Sequence, residues 1–515
     1  MTRRRAVLLL WLLLTAWTGA LYARAALQPP PGRAFAGTFH WIDDVYNYVS
    51  YAQQAEDGAF LFHNKLRAPG DSGAALVNLE WWLVGRASLL VGRRPFLAYR
   101  ILALLATLAL VAGVDRWLER AGVPGSHRLP ALLLACLGGG LGGLLFEWTD
   151  LPVSRCLDLA LAFFPFLEVL ANPHFATGTA LLVWSLWAYA AMPGRRGAVL
   201  GTTLGTVLGL VRPYDLVVLG AVRLLAIAAT EPARRWTRAA LPLFGLAPVL
   251  AYNLWLFFGS DQFASFRHGA TFPSRLDFVP ALGPAVALAL ASLRRPAADA
   301  SVRGARAHLW AWAAVGAGVI AAGRGDFSLQ LLVGAGLPLL VLAAAGLSHV
   351  RPLWTALAAL CFSTSAVVAT RVVLADDPNW FVPRERLATG LALRDLCRPG
   401  DRVLAPPDIG LYALGLSACD AFVSHPAAPD YAARLVEARA FYREMSPAAR
   451  AALLDRHGIT HFALPGDAGP RPDVWLGRET PFRAAARVGR PPGLITIYER
   501  PRLPATGPSL DERVR

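Results

Sequence analysis

Two adjacent carboxylates, Asp43 and Asp44, are the residues of this chain whose types and spacing most directly suggest chemistry. They follow the first long apolar segment and open the longest polar interruption in an otherwise apolar sequence. A charged group beside a bilayer is costly and is usually kept for function. Two carboxylates in one short loop can divide proton abstraction from cation binding. The pair also fits a solvated loop or a helix start.

The elements that must position this pair are membrane helices. The 515 residues are 55% hydrophobic, and apolar residues gather in runs of roughly 15 to 22, the length needed to cross a bilayer as a helix. We predict a mostly α fold, a polytopic bundle of about eleven spans with a C-terminal extracytoplasmic α/β domain. The predicted spans are 6 to 27, 96 to 118, 129 to 147, 173 to 192, 197 to 212, 215 to 230, 239 to 258, 279 to 293, 307 to 323, 327 to 347 and 352 to 374.

The net charge of +15 does not indicate nucleic-acid binding, because the arginines mostly flank spans. With a cytoplasmic N-terminus, every predicted cytoplasmic connection carries Arg, as the positive-inside rule requires. These connections are 116–128, 194–196, 231–238, 294–306 and 349–351. The odd number of spans then places the tail outside the cytoplasmic membrane. We expect Arg3-Arg4-Arg5 and the following apolar run to be an uncleaved anchor; a signal peptide cleaved near Ala23-Arg24-Ala25 is the alternative.

Three stretches near the membrane do not fit spanning helices. Residues 48 to 57 and 72 to 92 combine apolar and charged residues, which favours helices lying at the interface within an external loop from 28 to 95. Residues 151 to 170 contain charges, and a span there would invert every later loop. We therefore predict an interfacial or re-entrant segment on the outer face.

The composition changes after Leu374, which divides the chain into a membrane domain, 1–374, and a soluble α/β domain, 375–515. Within the tail we predict strands at 401–405, 460–464 and 494–498, and helices at 434–444 and 447–457. The five cysteines show no metal-binding spacing. In an oxidising compartment Cys397 and Cys419 could pair, with two free thiols as the alternative.

Acids and fixed cations gather at the predicted outer ends of the spans. Such a mixture suits an anionic lipid head group, with Arg binding phosphate oxygens and a carboxylate acting elsewhere on the substrate. The candidates for phosphate or substrate binding are Lys65, Arg155, His174, Arg212 and Arg324. Arg212 and Arg324 could instead snorkel at span ends, His174 could belong to a helix start, and Lys65 could lie on a loop surface.

The order of these features resembles the GT-C superfamily of membrane glycosyltransferases that use polyprenyl-phosphate sugars. The resemblance rests on the Asp43-Asp44 pair after the first span, a second acidic cluster at Glu147-Trp148-Thr149-Asp150, and an Arg before a Pro-containing apolar helix, Arg324 to Pro338. As architecture it extends over nearly the whole chain, including the interfacial helices and the α/β tail.

The resemblance implies an inverting transfer of sugar from a polyprenyl-phosphate carrier to a lipid, glycan or protein acceptor on the outer face. Asp43 or Asp44 would be the general base. The leaving phosphate would be neutralised either by Arg or Lys or by a divalent metal ion, and Asp44 with Glu147 or Asp150 are the carboxylates available for such an ion.

Two other classes of function remain open. A transporter or lipid flippase could also have eleven spans, although its charges would lie near the midplane, and no duplicated halves are present. In a non-catalytic membrane assembly factor, the Asp pair would be incidental.

Overall fold

The computed structural model describes residues 2–66, 73–192, 194–260, 272–294, 299–323, 328–375, 377–426, 428, 430–466, 481–491 and 493–501. Up to Leu374 these residues are helical apart from one short strand. In chain order the elements are α1 (Arg3–Leu27), β1 (Arg33–Phe35), α2 (Ile42–Glu56), α3 (Leu79–Ser88), α4 (Pro95–Arg120), α5 (Arg128–Leu137), α6 (Gly142–Trp148), α7 (Leu157–Ala160), α8 (Pro165–Ala171), α9 (Pro173–Ala191), α10 (Gly194–Val211), α11 (Pro213–Thr230), α12 (Trp236–Ala240), α13 (Ala247–Leu254), α14 (Phe278–Leu290), α15 (Ala300–Ala322), α16 (Gly336–Leu347), α17 (Pro352–Phe362) and α18 (Thr364–Leu374).

Each of the eleven predicted spans coincides with a helix or a short succession of helices. In the described part of the chain, seven helical stretches are long and apolar enough to cross a membrane by themselves. They are Arg3–Leu27, Pro95–Arg120, Pro213–Thr230, Ala233–Gly259, Arg275–Arg294, Gln330–Leu347 and Pro352–Leu374. The prediction of a polytopic helical bundle is confirmed, while the number of crossings stays a prediction.

Three predicted cytoplasmic connections, 116–128, 294–306 and 349–351, contact one another, the first turn of α1 and the last residue of α9. The contacts that join them are Arg3 Nη1 to Glu119 (2.5 Å), Arg120 Nη2 to the Ala191 carbonyl (3.0 Å), Arg306 Nε to the Ala121 carbonyl (3.1 Å) and His127 Nε2 to the Val350 carbonyl (2.8 Å). These contacts are consistent with the predicted positions of the three connections on one side of the membrane.

One predicted span is broken where glycines follow each other. The helical stretches Gly125–Leu137 and Gly142–Trp148 meet at a bend of 60°. Asp158, from α7, accepts hydrogen bonds from the N–H groups of Gly140 and Gly142 (3.1 Å each) and so caps the second helix. The segment 151–170 consists of short helical pieces, and one of these pieces holds the bend in place. Its predicted interfacial or re-entrant position stays a prediction.

The tail is an α/β domain, as predicted. Its elements are β2 (Phe381–Pro383), α19 (Arg384–Leu396), β3 (Arg402–Leu404), α20 (Pro407–Leu416), β4 (Asp420–Ala421), α21 (Tyr431–Arg443), α22 (Pro447–Arg456), β5 (His461–Pro465), β6 (Arg483–Val488) and β7 (Ile495–Glu499). Five strands form one sheet in the order β4-β3-β5-β7-β6, parallel between β4, β3 and β5 and antiparallel beyond. Cys397 and Cys419 form a disulfide with Cα atoms 5.4 Å apart.

The tail packs directly on the first external loop. Strand β1 of that loop pairs antiparallel with β2 of the tail, with Ala34 opposite Val382. Helix α2 lies against α20, where Tyr46 and Tyr412 make an edge contact at 5.1 Å between ring centroids. Arg394 donates to the Glu56 carboxylate at the end of α2 (2.8 Å). The position of α2, which carries Asp43 and Asp44, therefore depends on the tail.

Candidate functional site

Four helices, α2, α3, α9 and α11, begin around one small cleft at the predicted outer end of the bundle. The residues at or beside these starts that line it are Asp44, Asn78, Asn172 and Arg212, and its volume is about 60 Å³. A helix N-terminus presents unpaired N–H groups and the positive end of the helix dipole. A space where several helices begin therefore favours a small anion. We call it the Arg212 cleft.

The local sequence explains these helix starts. The side-chain oxygens of Asn78 and Asn172 accept N–H bonds from the first turns of α3 and α9. Pro173 and Pro213 occupy the first turns of α9 and α11, where the missing N–H is not needed. At the start of α2, Trp41 adopts the left-handed conformation (φ 49°, ψ 46°), a strain that bulky residues rarely bear outside functional sites.

Arg212 is the cation of this cleft. Its side chain is buried, Nε donates to Asp215 Oδ2 (2.9 Å), and Nη2 donates to Asp215 Oδ1 (3.2 Å) and to the Gln330 carbonyl (3.0 Å). The guanidinium also lies 4.7 Å from the centroid of the Phe175 ring. These contacts fix the plane of the guanidinium and leave Nη1 outside the bonds described, so the group is preorganised to bind an oxyanion.

His174 lines the same cleft and is oriented by α3. Its Nδ1 lies 2.6 Å from Glu80 Oε2, and Thr177 donates to Glu80 Oε1 (2.7 Å). The backbone N–H of His174 also donates to the Tyr99 hydroxyl (2.7 Å). The imidazole is thus held by α3, α4 and α9 together.

A second and larger space lies on the other side of Asp44. This cavity of about 470 Å³ is lined by aromatic and polar residues from the first external loop and from the tail, among them Trp41, Asp43, Asp44 and Trp380. We call it the Trp380 cavity. Its volume falls within the roughly 300 to 1,000 Å³ of small-molecule sites. Asp44 is common to its wall and to the wall of the Arg212 cleft.

The two carboxylates differ in their surroundings. Asp44 is 54% exposed at its side chain, and its Oδ1 lies 3.2 Å from Nε2 of His425 in the tail. Asp43 lines the Trp380 cavity but not the Arg212 cleft. Partial burial raises the pKa of Asp43, His425 opposes this shift, and neighbouring Asp44 adds to it. Asp44 is the carboxylate positioned between the two spaces.

The structure brings Asp43, Asp44, His174 and Arg212 to these two spaces, and it places Lys65 and Arg155 elsewhere. Lys65 is buried under the tail, where its Nζ donates to Gln53 Oε1 and to the Ser417 carbonyl (2.6 Å each). Arg155 is half exposed and pairs with Asp277 (3.0 Å). The remaining candidate, Arg324, lies outside the described residues.

The carboxylates considered for a metal ion are not assembled. Among the described residues, Asp44, Glu147 and Asp150 do not form a group of ligand atoms close enough for one ion. Glu147 lies in α6 and accepts instead from Arg371 Nη1 of α18 (2.6 Å), whereas Asp44 faces His425. The grouping that does occur, Cys397, Cys419 and His461, contains the disulfide and therefore lacks two free thiolates.

Several residues of the site were not predicted from the sequence. Glu80 belongs to the stretch from 72 to 92, which the sequence predicted as an interfacial helix with no role in the site. In the structure Glu80 is buried and its carboxylate contacts His174, which orients the imidazole. Tyr214 could have been found, because Arg212-Pro213-Tyr214 repeats the helix-start pattern of Asn172-Pro173-His174. Trp380 and His425 carry no local signal, since only the tertiary fold brings the tail to α2.

No family model matches the chain, and no curated protein matches it. Solved structures do. The arabinofuranosyltransferase AftD from Mycobacteria matches with a TM-score of 0.57 and 17% identity over 98% of this chain, which spans 40% of that protein. ArnT from Cupriavidus metallidurans, bound to undecaprenyl phosphate, matches with a TM-score of 0.52 and 12% identity, over 97% of this chain and 99% of that one.

An oligosaccharyltransferase from Archaeoglobus fulgidus also matches, with a TM-score of 0.52 and 10% identity over 89% of this chain and 70% of that one. These proteins are all GT-C membrane glycosyltransferases. The similarity extends through membrane helices, interfacial helices and tail alike, because it includes nearly the whole chain. This chain is a polytopic membrane protein with the GT-C fold.

Proposed function

We propose that this protein is a membrane glycosyltransferase that transfers a sugar from a polyprenyl-phosphate carrier to an acceptor hydroxyl on the outer side of the cytoplasmic membrane. The observation that carries the proposal is the position of Asp44, in the shared wall of a cationic cleft and a larger cavity. A base between a phosphate site and an acceptor site is what inverting transfer requires. Two of the matched proteins bind such carriers. ArnT binds undecaprenyl phosphate, and AglB, the oligosaccharyltransferase from Archaeoglobus fulgidus, binds dolichol phosphate.

The donor phosphate would lie in the Arg212 cleft. Its negative charge would face the guanidinium of Arg212, the imidazole of His174 and the starts of four helices, all fixed before the substrate arrives. Preorganised donors of this kind stabilise charge that develops on a leaving group in the transition state. The cleft admits a group the size of a phosphate, so the sugar would lie beyond it, beside Asp44.

In the reaction we propose, the oxygen of the acceptor hydroxyl bonds to the anomeric carbon of the donor sugar. Asp44 accepts the proton that this hydroxyl loses. The bond between that carbon and the phosphate oxygen breaks, and the phosphate leaves with the electron pair as polyprenyl phosphate. Attack opposite to the leaving group inverts the anomeric configuration. His425, 3.2 Å from Asp44, would hold the carboxylate in the orientation that faces the acceptor.

Asp44, Glu147 and Asp150 do not form a binding site for a divalent metal ion, because their carboxylates are not close enough to one another to bind the same ion. A matched oligosaccharyltransferase structure contains zinc. In this chain we assign neutralisation of the leaving phosphate to Arg212 and His174 and route no step through a metal. The family resemblance allows the leaving phosphate to be neutralised by basic side chains or by a metal ion, and we propose the first.

The test compares Asp44→Asn with Asp43→Asn in full-length protein in nanodiscs, supplied with radiolabelled polyprenyl-phosphate sugars and a membrane extract from the source cell. Asn keeps the shape of Asp but cannot accept the proton. We expect Asp44→Asn to lower transfer by about 10³-fold or more, within the range of general-base catalysis combined with positioning. Asp43→Asn should retain measurable transfer.

An exposed arginine at the other end of the bundle, Arg234, provides the matched control as Arg234→Gln, which should transfer normally. Thermal unfolding of all three variants establishes that they fold. Equal transfer by Asp44→Asn and wild type would refute the assignment of the base. Failure of folded wild-type protein to consume any donor would refute the proposed function.

A further inference from the structure

The Trp380 cavity is the second space that Asp44 serves, and nothing described so far identifies its ligand. Its walls come from two parts of the chain. The first external loop supplies His40, Trp41 and the two carboxylates, and the tail supplies Asn379 and Trp380. A ligand here would lie across Asp44 from the Arg212 cleft. The position therefore suits an acceptor and not the donor phosphate.

The charge of the cavity disfavours an anionic ligand. Two carboxylates line it, His425 in the same wall pairs with Asp44, and the described lining contains neither Lys nor Arg. Burial lowers the pKa of His40 to about 4, an effect that Asp377 partly opposes. His40 is therefore neutral near pH 7 and adds no positive charge there. A phosphorylated or otherwise acidic acceptor group would be repelled.

The remaining lining combines flat apolar faces with hydrogen-bonding groups. The His40 and Trp380 rings lie with centroids 5.7 Å apart, and Phe39 contacts Trp380 at 6.0 Å. Trp380 is buried, and its ring forms part of the apolar wall. Carboxylates and the Asn379 amide supply acceptors for hydroxyl groups.

A neutral molecule with many hydroxyl groups and an apolar C–H face matches this lining. Such a molecule is a saccharide, since its ring face packs on aromatic side chains while its hydroxyls bond to carboxylates and amides. We propose that the Trp380 cavity is the acceptor subsite and that the acceptor is a neutral glycan, one of whose hydroxyls faces Asp44. This inference rests on the proposed function, and it selects glycan from the lipid, glycan and protein acceptors considered above.

The proposal is tested by filling the cavity. Asn379 is exposed, so Asn379→Trp adds bulk to the cavity wall without removing a buried side chain. The matched control is Pro378→Trp, an exposed neighbour that does not line the cavity. Trp380→Phe keeps a ring and removes the N–H donor. Thermal unfolding in nanodiscs verifies that each variant folds.

Binding is measured without donor, by saturation-transfer NMR on neutral tetrasaccharides of arabinofuranose, mannose and galactose and on a neutral peptide of similar mass. We expect at least one tetrasaccharide to bind wild type and Pro378→Trp equally, and Asn379→Trp to bind about tenfold more weakly. In transfer assays the KM for acceptor should rise about tenfold in Asn379→Trp, with the KM for donor unchanged. Trp380→Phe should show a smaller rise in the same constant.

Equal saccharide binding by Asn379→Trp and wild type, binding of the peptide alone, or binding of no probe at all would each overturn the inference. Loss of saccharide binding in Asn379→Trp, in a protein whose wild type transfers no sugar, would leave the glycan subsite standing and refute the proposed function. Transfer that is intact in Asn379→Trp would refute the subsite and leave the proposed function standing.

Discussion

At the scale of residues, the charged side chains at this end of the molecule fall into two groups. Arg212 and Lys65 are buried and held by several hydrogen bonds, so their positions are fixed. Asp44 is more than half exposed and touches one titratable partner, His425. The fixed cation that lines the cleft, Arg212, suits the binding of a phosphate, whereas Lys65 lines neither space. An accessible carboxylate can take up and release a proton during each cycle.

Lys65 offers a direct measurement of burial, since it is the only lysine of the chain. Burial lowers its pKa to about 8 against the ordinary 10.5, and Asp420 opposes the shift. Asp420→Asn removes that opposition, so we expect the pKa of Lys65 to fall further. Incorporation of ¹³C-lysine gives one side-chain signal, whose chemical shift is followed against pH.

The sign of the effect on stability follows from the same shift. The unfolded chain binds a proton at Lys65 between pH 8 and pH 10.5 that the folded protein has lost, so the contribution of Lys65 to stability rises with pH across this window. The exposed acid Asp395, changed to Asn, is the control and should leave the titration unaltered. A wild-type pKa near 10.5 would contradict the burial of Lys65.

At the scale of elements, helix starts and helix breaks build the site. Hydropathy predicts where α9 and α11 lie, and Asn172-Pro173 and Arg212-Pro213 predict where they begin. That these starts converge with those of α2 and α3 could not be predicted, because hydropathy does not specify which helices are neighbours. For the same reason Glu147 was assigned to a metal site, although α6 in fact turns it toward Arg371.

The bend between α5 and α6 depends on close packing at Gly140. A Cβ there would lie 2.3 Å from the carbonyl oxygen of Ala281, a backbone atom that cannot move independently. We expect Gly140→Ala to destabilise the protein by about 2 to 3 kcal/mol through overpacking. The measurement is thermal unfolding in nanodiscs.

The control for this prediction is Gly220, in α11, where a Cβ would meet no atom within 4 Å. Gly220→Ala should stabilise by about 0.5 to 1 kcal/mol, the usual gain of Ala over Gly inside a helix. If both variants unfolded at the wild-type temperature, this result would contradict the close packing of Gly140 against the Ala281 carbonyl.

At the scale of the whole molecule, the tail completes the site. It supplies Trp380 and His425 and holds α2 through α20 and Arg394. The sequence predicted that the tail is an α/β domain, because alternating apolar residues mark its strands. It could not predict the pairing of β1 with β2, since two three-residue strands so far apart in the chain carry no local signal for each other.

The disulfide provides a test of where the tail folds, because such bonds form in oxidising compartments. Cys397 and Cys419 are paired, and Cys136, Cys156 and Cys361 are free. Denatured but unreduced protein, purified from cells with thiols blocked at lysis, should take up three alkyl groups, and reduced protein five. Mass spectrometry counts them. Five groups before reduction would contradict an extracytoplasmic tail.

The pairing of β1 with β2 also sets an order of events during synthesis. Ala34 is synthesised early, whereas its partner Val382 follows the last helix of the bundle, α18. Until then the Trp380 cavity lacks its second wall, and α2 lacks the helix against which it packs. The surroundings of Asp44 are therefore incomplete until the tail has been synthesised, and the transfer we propose would begin only after that point.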